Sequence, residues 1–235
     1  MPAAEAPRLS VIIPVRNDAE VLGRLLAELD PPSHPTMEVL VVDGGSDDDP
    51  AKHAVHSRTR LIRTERGRGQ QLAAGVAAAR GTWLWLLHAD SSAVAAPLDY
   101  LLALTGTSAD AAHPAWGRFG VAFQPGNSAL GLVAFMMNQR SRLTGICTGD
   151  QGVFVHRDLL ARAGGVPPQS LMEDIELSRR LKRLARPLAR AETLTSSSRR
   201  WHRRGIVRTV LGMWLYRLRY WFGADPEDLA REYYR

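Results

Sequence analysis

The 235 residues predict an α/β domain built on a mostly parallel sheet flanked by helices. Two observations carry that expectation. Apolar runs alternate with amphipathic or alanine-rich segments in the order strand, helix, strand, short strand, helix, strand. Acidic turns follow two of the apolar runs directly, and in such sheets ligands sit at strand carboxyl ends. A composition that is 45% hydrophobic and 23% charged agrees, because it buries a core and excludes a disordered chain.

The first run begins at Leu9 and reads as a buried strand that Pro14 ends, since proline offers no ladder N–H. Val21, Leu22, Leu25, Leu26 and Leu29 then fall on one helical stripe, closed by Pro31, Pro32 and Pro35. Val39 to Val42 is a second strand that runs into Asp43-Gly-Gly-Ser-Asp47, and Leu61-Ile62 is a short third. Gln71 to Arg80 reads as a helix with Gly81 as its cap. Trp83 to Leu87 is a fourth strand leading into His88-Ala-Asp90. Beyond it the pattern loosens. Residues 105 to 130 are rich in small residues but hold a strand candidate at Trp116, and a loop at Gly149-Asp-Gln-Gly enters another. A helix starts at Glu173-Asp174, with acids first and bases later, as the helix dipole favours.

Charge and cysteine content narrow the chemistry. The net charge of +6 favours anionic partners. One cysteine, Cys147, allows no internal disulfide, which fits a reducing compartment. The N-terminus does not read as a signal peptide, and no stretch of about 18 apolar residues predicts a spanning helix. The expectation is a cytoplasmic protein, with a place at the inner face of a membrane left open.

Four clusters carry candidate chemistry. Asp43 and its glycines let a flat ligand approach the backbone, although such residues also make ordinary turns. Arg66-Gly-Arg68-Gly-Gln-Gln71 opens a helix and offers guanidiniums and N–H groups to phosphate oxygens, but it lacks the ending of a Walker loop. His88 and Asp90 lie two residues apart and so point to one side. Oxygen suits Mg²⁺ or Mn²⁺, and imidazole suits Mn²⁺ better. Glu173-Asp174 is either an ordinary helix start or a source of a general base.

Taken together, Val-Ile-Ile-Pro-Val-Arg-Asn17, Val-Val-Asp43-Gly-Gly-Ser-Asp, Ala-Ala-Arg-Gly81, Leu-His88-Ala-Asp90 and Glu173-Asp-Ile-Glu-Leu resemble family 2 glycosyltransferases of the GT-A fold. More narrowly they resemble a short bacterial branch in which His-Ala-Asp replaces the usual Asp-x-Asp. The resemblance covers residues 9 to 222 and implies a Rossmann-like GT-A sheet that transfers a sugar, with inversion, from a UDP- or GDP-sugar to an acceptor hydroxyl. It implies a nucleotide-sugar site at Pro14, Val15, Asn17, Asp43, Arg66, Arg68, Gln71, Ala89 and Asp90. A Mn²⁺ or Mg²⁺ ion would sit on Asp90, with His88 and His202 as further ligands. Asp174 would be the catalytic base, and Gly149, Asp150, Gln151, Glu173 and Trp201 would face the acceptor. Processive members carry Gln-x-x-Arg-Trp, of which Ser197-Ser-Arg-Arg200-Trp201 keeps only the last two, which argues against a polymer-making synthase.

The domain reading is an extension over 1–8, the transferase domain over 9–198 and a basic aromatic helical segment over 199–235. In that segment Val207, Val210, Trp214, Leu218 and Trp221 share a helical stripe that can pack on the domain. Arg204, Arg208 and Arg219 lie elsewhere on the wheel, and the mix also suits a membrane surface. The acceptor itself is not legible; a lipid-linked one is among the options, and nucleic acid is not expected. Two rival readings are a nucleotidyltransferase, disfavoured because Pro14-Val-Arg-Asn17 stands where its glycine-rich loop belongs, and a non-catalytic basic module, which gives Asp43, Asp90 and Asp174 no role.

Overall fold

The computed structural model describes residues 6–55, 57–106 and 114–233; residues 1–5 of the expected extension lie outside these. Strands β1 (Leu9–Val15), β2 (Met37–Asp43), β3 (Thr59–Arg63) and β4 (Trp83–Leu86) pair in parallel in the order β3-β2-β1-β4. Each enters at the same edge of the sheet and leaves at the other, so the turns after β1, β2 and β4 gather along one carboxyl edge. Pro14 does not end β1. It sits within the strand opposite Val42, and pairing with β4 stops at Ile12, so its missing N–H falls beyond the ladder.

The second half of the sheet is mixed. β7 (Val153–His156) runs antiparallel to β4, and β6 (Trp116–Gln124) runs antiparallel to β7. β8 (Leu188–Ser197) lies parallel to β6, and the two-residue β5 (Ser91–Ser92) pairs antiparallel with the end of β8. Strands β5 and β8 have no counterpart in the sequence reading, because β8 is largely exposed and lacks a sustained apolar run.

Both faces of the parallel half are buried. Val11 and Ile13 face one core with Leu22, Leu25 and Leu29 of α1 (Ala19–Leu29) and Leu98 and Leu101 of α3 (Ala95–Thr105). Ile12, Leu40, Val42, Leu84 and Leu86 face another with Leu72 of α2 (Arg68–Ala78), Leu159 and Leu160 of α5 (Arg157–Arg162) and Leu177 and Leu181 of α6 (Glu173–Leu184). Each fully buried leucine contributes about 1.5–3 kcal/mol over an exposed one. Helix α1 ends at Asp30 in the left-handed region, where Pro31 cannot continue it. Helix α2 ends at Ala78, earlier than expected. Gly81 is not its cap; it packs on the backbone of Leu9 and Ser10, where a side chain has no room.

A third apolar cluster joins Val121 and Phe123 of β6 to Leu130, Val133 and Met137 of α4 (Ser128–Thr144) and to Trp201 of α7 (Arg199–Arg204). Helices α8 (Ile206–Trp221) and α9 (Pro226–Tyr233) complete the chain. The expected packing stripe of α8 is corrected. Of its five residues only Val210 packs on this cluster, together with Ile206 and Met213, whereas Val207, Trp214, Leu218 and Trp221 face outward.

Gly69, in the first turn of α2, abuts the backbone carbonyls of Pro167 and Gln169 so closely that a β-carbon would collide with both. Gly69→Ala must push α2 away from the segment that leads into α6. The expected loss is about 1–3 kcal/mol, the usual scale of overpacking, read as a lower urea midpoint with an unchanged slope.

Candidate active site

The carboxyl edge of the parallel strands builds the first wall. After β1, Asn17 adopts a left-handed backbone, φ 53°, which asparagine tolerates. Its N–H donates to Ser46 Oγ at 3.0 Å, and its side-chain oxygen accepts from Asp47 N–H at 2.8 Å. The turns after β1 and β2 are thereby tied together. Asp43 is buried at the end of β2 and accepts from Ser46 N–H at 2.9 Å, so one carboxylate oxygen shapes its own turn. The Gln71 amide nitrogen donates to the carbonyls of Val15 at 2.9 Å and Val42 at 2.7 Å, clamping the ends of β1 and β2. Gln71 therefore positions this wall. A pocket of about 270 Å³ lies against it, lined by Pro14, Val15, Arg66, Arg68, Gln71, Ala89 and Asp90 among others. Seven of the nine residues expected to bind the nucleotide sugar thus meet in one place; Asn17 lines the adjoining cleft.

That cleft, about 790 Å³, opens over His88, Asp90 and Asp150. One ligand atom from each of these three lies within 4.8 Å of the others. His88 Nδ1 is 3.3 Å from Asp150 Oδ1, and Ser196 Oγ donates to the same oxygen at 3.0 Å. The far edge of the imidazole rests on Gly149, where a β-carbon would overlap the ring, so glycine is needed there. Burial raises the pKa of Asp90, His88 opposes that shift, and the charge of Asp150 adds to it. Burial also acts to raise Asp150, but the hydrogen bond and charge of His88, with Arg68 and Arg200, outweigh it and hold this carboxyl well below the usual range. Two carboxylate oxygens and one imidazole nitrogen form a donor set suited to Mn²⁺ or Mg²⁺, and a cation there would offset the crowding of the two acids. Asp150 was expected on the acceptor side, so its place in this group is new. His202 lines the same cleft without joining the group.

On the far side, Asp174 opens α6 and accepts from Gly149 N–H at 3.1 Å and from Ile175 N–H at 2.7 Å. It is thus tied to the loop that carries Asp150. Glu173 is buried and lies 3.6 Å from Arg68. Burial pushes its carboxyl up to about 7; Arg68 opposes the shift and Asp174 adds to it. Gln151 departs from its expected acceptor role. It is fully buried, with its amide bonded to Ser141 at 2.9 Å and Asn138 at 3.2 Å, so it braces the loop from within. Trp201 packs edge-on against Phe123 at 5.2 Å between centroids and lines the cleft.

Several cleft residues have no role in the sequence reading, Asp18, Ser196, Arg199 and Arg200 among them. Asp18 and Arg199 form a double hydrogen bond, 3.0 Å on each arm, that joins the start of α1 to α7 across the cleft, and Arg200 lines both cavities. The basic run Arg199 to Arg204 was visible as charge, but nothing in its spacing told that β8 would carry it back over the carboxyl edge.

The family model described as Glycosyl transferase family 2 matches residues 10–157. No curated protein matches. Among solved structures, the mannosyltransferase PcManGT from Pyrobaculum calidifontis, in complex with GDP-Man and Mn²⁺, is 22% identical at a TM-score of 0.58, over 82% of this chain and 57% of that one. TarS 1–349 of S. aureus is 17% identical at a TM-score of 0.62, over 81% of this chain and 60% of that one. Glucosyl-3-phosphoglycerate synthase from Mycobacterium tuberculosis, with Mn²⁺, UDP and glucosyl-3-phosphoglycerate, is 18% identical at a TM-score of 0.52, over 81% and 70%. The chain spans about three fifths of the length of the first two, and the likeness shows a shared GT-A fold. With a family match over more than half of its length, the chain belongs to glycosyl transferase family 2.

Proposed function

We propose that this chain transfers a sugar from a UDP- or GDP-sugar to an acceptor hydroxyl with inversion at the anomeric carbon. The convergence of His88, Asp90 and Asp150 beside the pocket at Pro14 and Arg68, in a family 2 chain, carries the reading. Related structures that hold GDP-Man with Mn²⁺, or UDP-GlcNAc, support the donor class. His88, Asp90 and Asp150 would hold a divalent ion, which would supply charge neutralisation for the departing diphosphate. Arg68 and Arg200 supply guanidiniums to the same phosphates. Asp174, held by two backbone N–H groups, takes the proton of the acceptor hydroxyl as its oxygen attacks the anomeric carbon. The hydroxyl O–H and the bond from sugar to diphosphate break, and one new glycosidic bond forms.

A membrane surface belongs to the same reading. The outward face of α8 presents Val207, Leu211, Trp214, Leu215, Leu218 and Trp221, with Trp214 66% and Trp221 78% exposed. At about 100° per residue these fall on one stripe bordered by Arg208 and Arg219 on one side and Arg217 on the other. Leu132, Phe135 and Met136 of α4 are exposed as well. Tryptophans beside an apolar stripe with flanking arginines match the interface of an anionic bilayer. No described helix is long and apolar enough to cross a membrane, so the contact is peripheral. The buried free Cys147 agrees with a cytoplasmic place at the inner face.

Three outcomes test this function. Asp90→Ala and Asp150→Ala each abolish the metal dependence of UDP or GDP binding in calorimetry, and His88→Ala weakens it less; undiminished metal-dependent binding in either aspartate variant removes that residue from the ion. Asp174→Asn keeps donor affinity and loses about 10²–10⁴-fold in turnover, while the parent's product carries inverted configuration by NMR; retention would end the single-displacement mechanism. Finally, the chain sediments with phosphatidylglycerol vesicles, and a Leu211→Gln, Trp214→Gln, Leu218→Gln variant stays in the supernatant. Equal behaviour of the two forms, or a dimer in light scattering that the triple variant dissolves, assigns the stripe to something other than lipid.

A further inference from the structure

The cleft of about 790 Å³ that opens over the metal group has a second end, built by α7 and the last turn of α9. Arg200, Arg203 and Arg204 line it, and at spacings of three and four residues they share one face of α7. Trp201 is buried against Phe123 and fixes that helix on the domain. Tyr233 reaches the same wall from α9. Its hydroxyl accepts from Arg200 Nη1, and its ring centre lies 5.4 Å from the guanidinium carbon of Arg200 and 5.7 Å from that of Arg204. Tyr216 of α8 supports the ring edge-on at 5.6 Å. The arginine face is thereby held at the cleft by an aromatic side chain from a separate helix.

Acids and bases along this cleft do not balance. Asp18 is taken by Arg199. Asp90 and Asp150 face His88 and would take a divalent ion. Arg68 and Arg200 also line the donor pocket, where a diphosphate matches their charge. Arg203 and Arg204 line the cleft but not that pocket. Both are exposed, and among the described residues neither has an acidic partner. Like charges crowded on one helix face repel, and an anion with two charges relieves that repulsion. Planar guanidiniums offer forked N–H donors, the geometry that phosphate oxygens accept.

We propose that Arg203 and Arg204, on the helix face that Tyr233 braces, form an acceptor subsite for a phosphate monoester. The inference rests on the sugar-transfer reading and names the acceptor class for it, a phosphorylated alcohol. The phosphate anchors at the α7 end of the cleft, and the free hydroxyl extends toward the end that holds His88, Asp90 and Asp150. One cavity thus receives two anionic substrates, the donor diphosphate on Arg68 and Arg200 and the acceptor phosphate on the next turn of α7. A soluble ester and a lipid headgroup carry the same monoester.

The test uses the full chain with Mn²⁺ and saturating UDP or GDP, titrated with glycerol 1-phosphate in a calorimeter. The parent binds it saturably. Affinity falls at least tenfold in the Arg203→Gln, Arg204→Gln variant, while affinity for UDP or GDP stays that of the parent. Both side chains are exposed, so the variant melts with the parent in phosphate-free buffer. A variant with the same loss of charge elsewhere, Arg162→Gln, Arg183→Gln, binds glycerol 1-phosphate like the parent. Tyr233→Ala removes the brace without removing charge and weakens binding several-fold. Dihexanoyl phosphatidic acid, kept below micelle formation, competes in either case: binding at least tenfold tighter than glycerol 1-phosphate assigns a lipid headgroup, and equal binding assigns a soluble ester. Equal binding by the parent and the Arg203, Arg204 variant, or no saturable binding by the parent, overturns the subsite. A parallel loss of nucleotide affinity also overturns it, because the two arginines then serve the donor. A parent that binds glycerol 1-phosphate through both arginines but binds no nucleotide strikes the donor reading and leaves the subsite standing.

Discussion

The antiparallel pairing of β4 with β7 is the constraint on which the site depends. In the parallel half, every strand ends at the same edge, so that edge alone can gather only residues that follow strands. Reversing one neighbour changes this. Leu86 of β4 pairs with Val153 of β7, which sets the start of β7 beside the end of β4. The loop before β7 then meets the loop after β4, and Asp150 arrives against His88 and Asp90. Gly149 makes the approach possible, because any side chain there would occupy the space of the imidazole. The short β5 fastens the same corner from the other side by pairing Ser91 with Ser196, whose hydroxyl then reaches Asp150.

Charge is sorted across this corner. Two carboxylates sit where burial disfavours their charge; the surrounding cations outweigh that effect at Asp150 and only partly compensate it at Asp90. Asp90 is raised while Asp150, closer to His88, is held low. One acid therefore stays ionised with ease, and the other gains most from an added cation. Around them, arginines come from separate elements: Arg68 from the first turn of α2, and Arg199 and Arg200 from α7. The Asp18–Arg199 pair is exposed at both ends and adds little stability by itself, yet it spans from α1 to α7 and so relates the two walls of the cleft.

The C-terminal helices have two distinct faces. Ile206, Val210 and Met213 close the cluster built on Phe123, Met137 and Trp201, and Met213 also reaches the cleft. Ser170 and Glu227 bond at 2.8 Å, which ties α9 to the segment before α6. The opposite face of α8 stays apolar and uncovered. Amphipathic periodicity alone reports that a helix has two faces and is silent on which one the domain takes; here the domain took the narrower face and left the tryptophans outside.

The first ninety residues were legible because β1, β2 and β4 are short and mostly apolar, and each is followed closely by a polar turn. The strands from Leu9 to Leu86 and the helices between them follow from that local pattern, whereas the expectation that Pro14, Arg68 and Asp90 share a site came from the family resemblance. Tertiary structure decided the rest. Asp150 stands 60 positions from Asp90, before a strand and not after one, so only the reversed pairing reveals it as a partner. β8 has an exposed, mixed sequence and becomes a strand through its long pairing with β6, which returns Arg199 and Arg200 to the cleft. The resemblance implied Gln71 and Gln151 as ligand contacts; the tertiary structure also gives their amides buried partners, backbone carbonyls for Gln71 and the side chains of Ser141 and Asn138 for Gln151. Periodicity and composition act over a few residues and are written in the chain itself. Which strand lies beside which, and which loops meet, depends on contacts between distant segments that exist only once the sheet has closed.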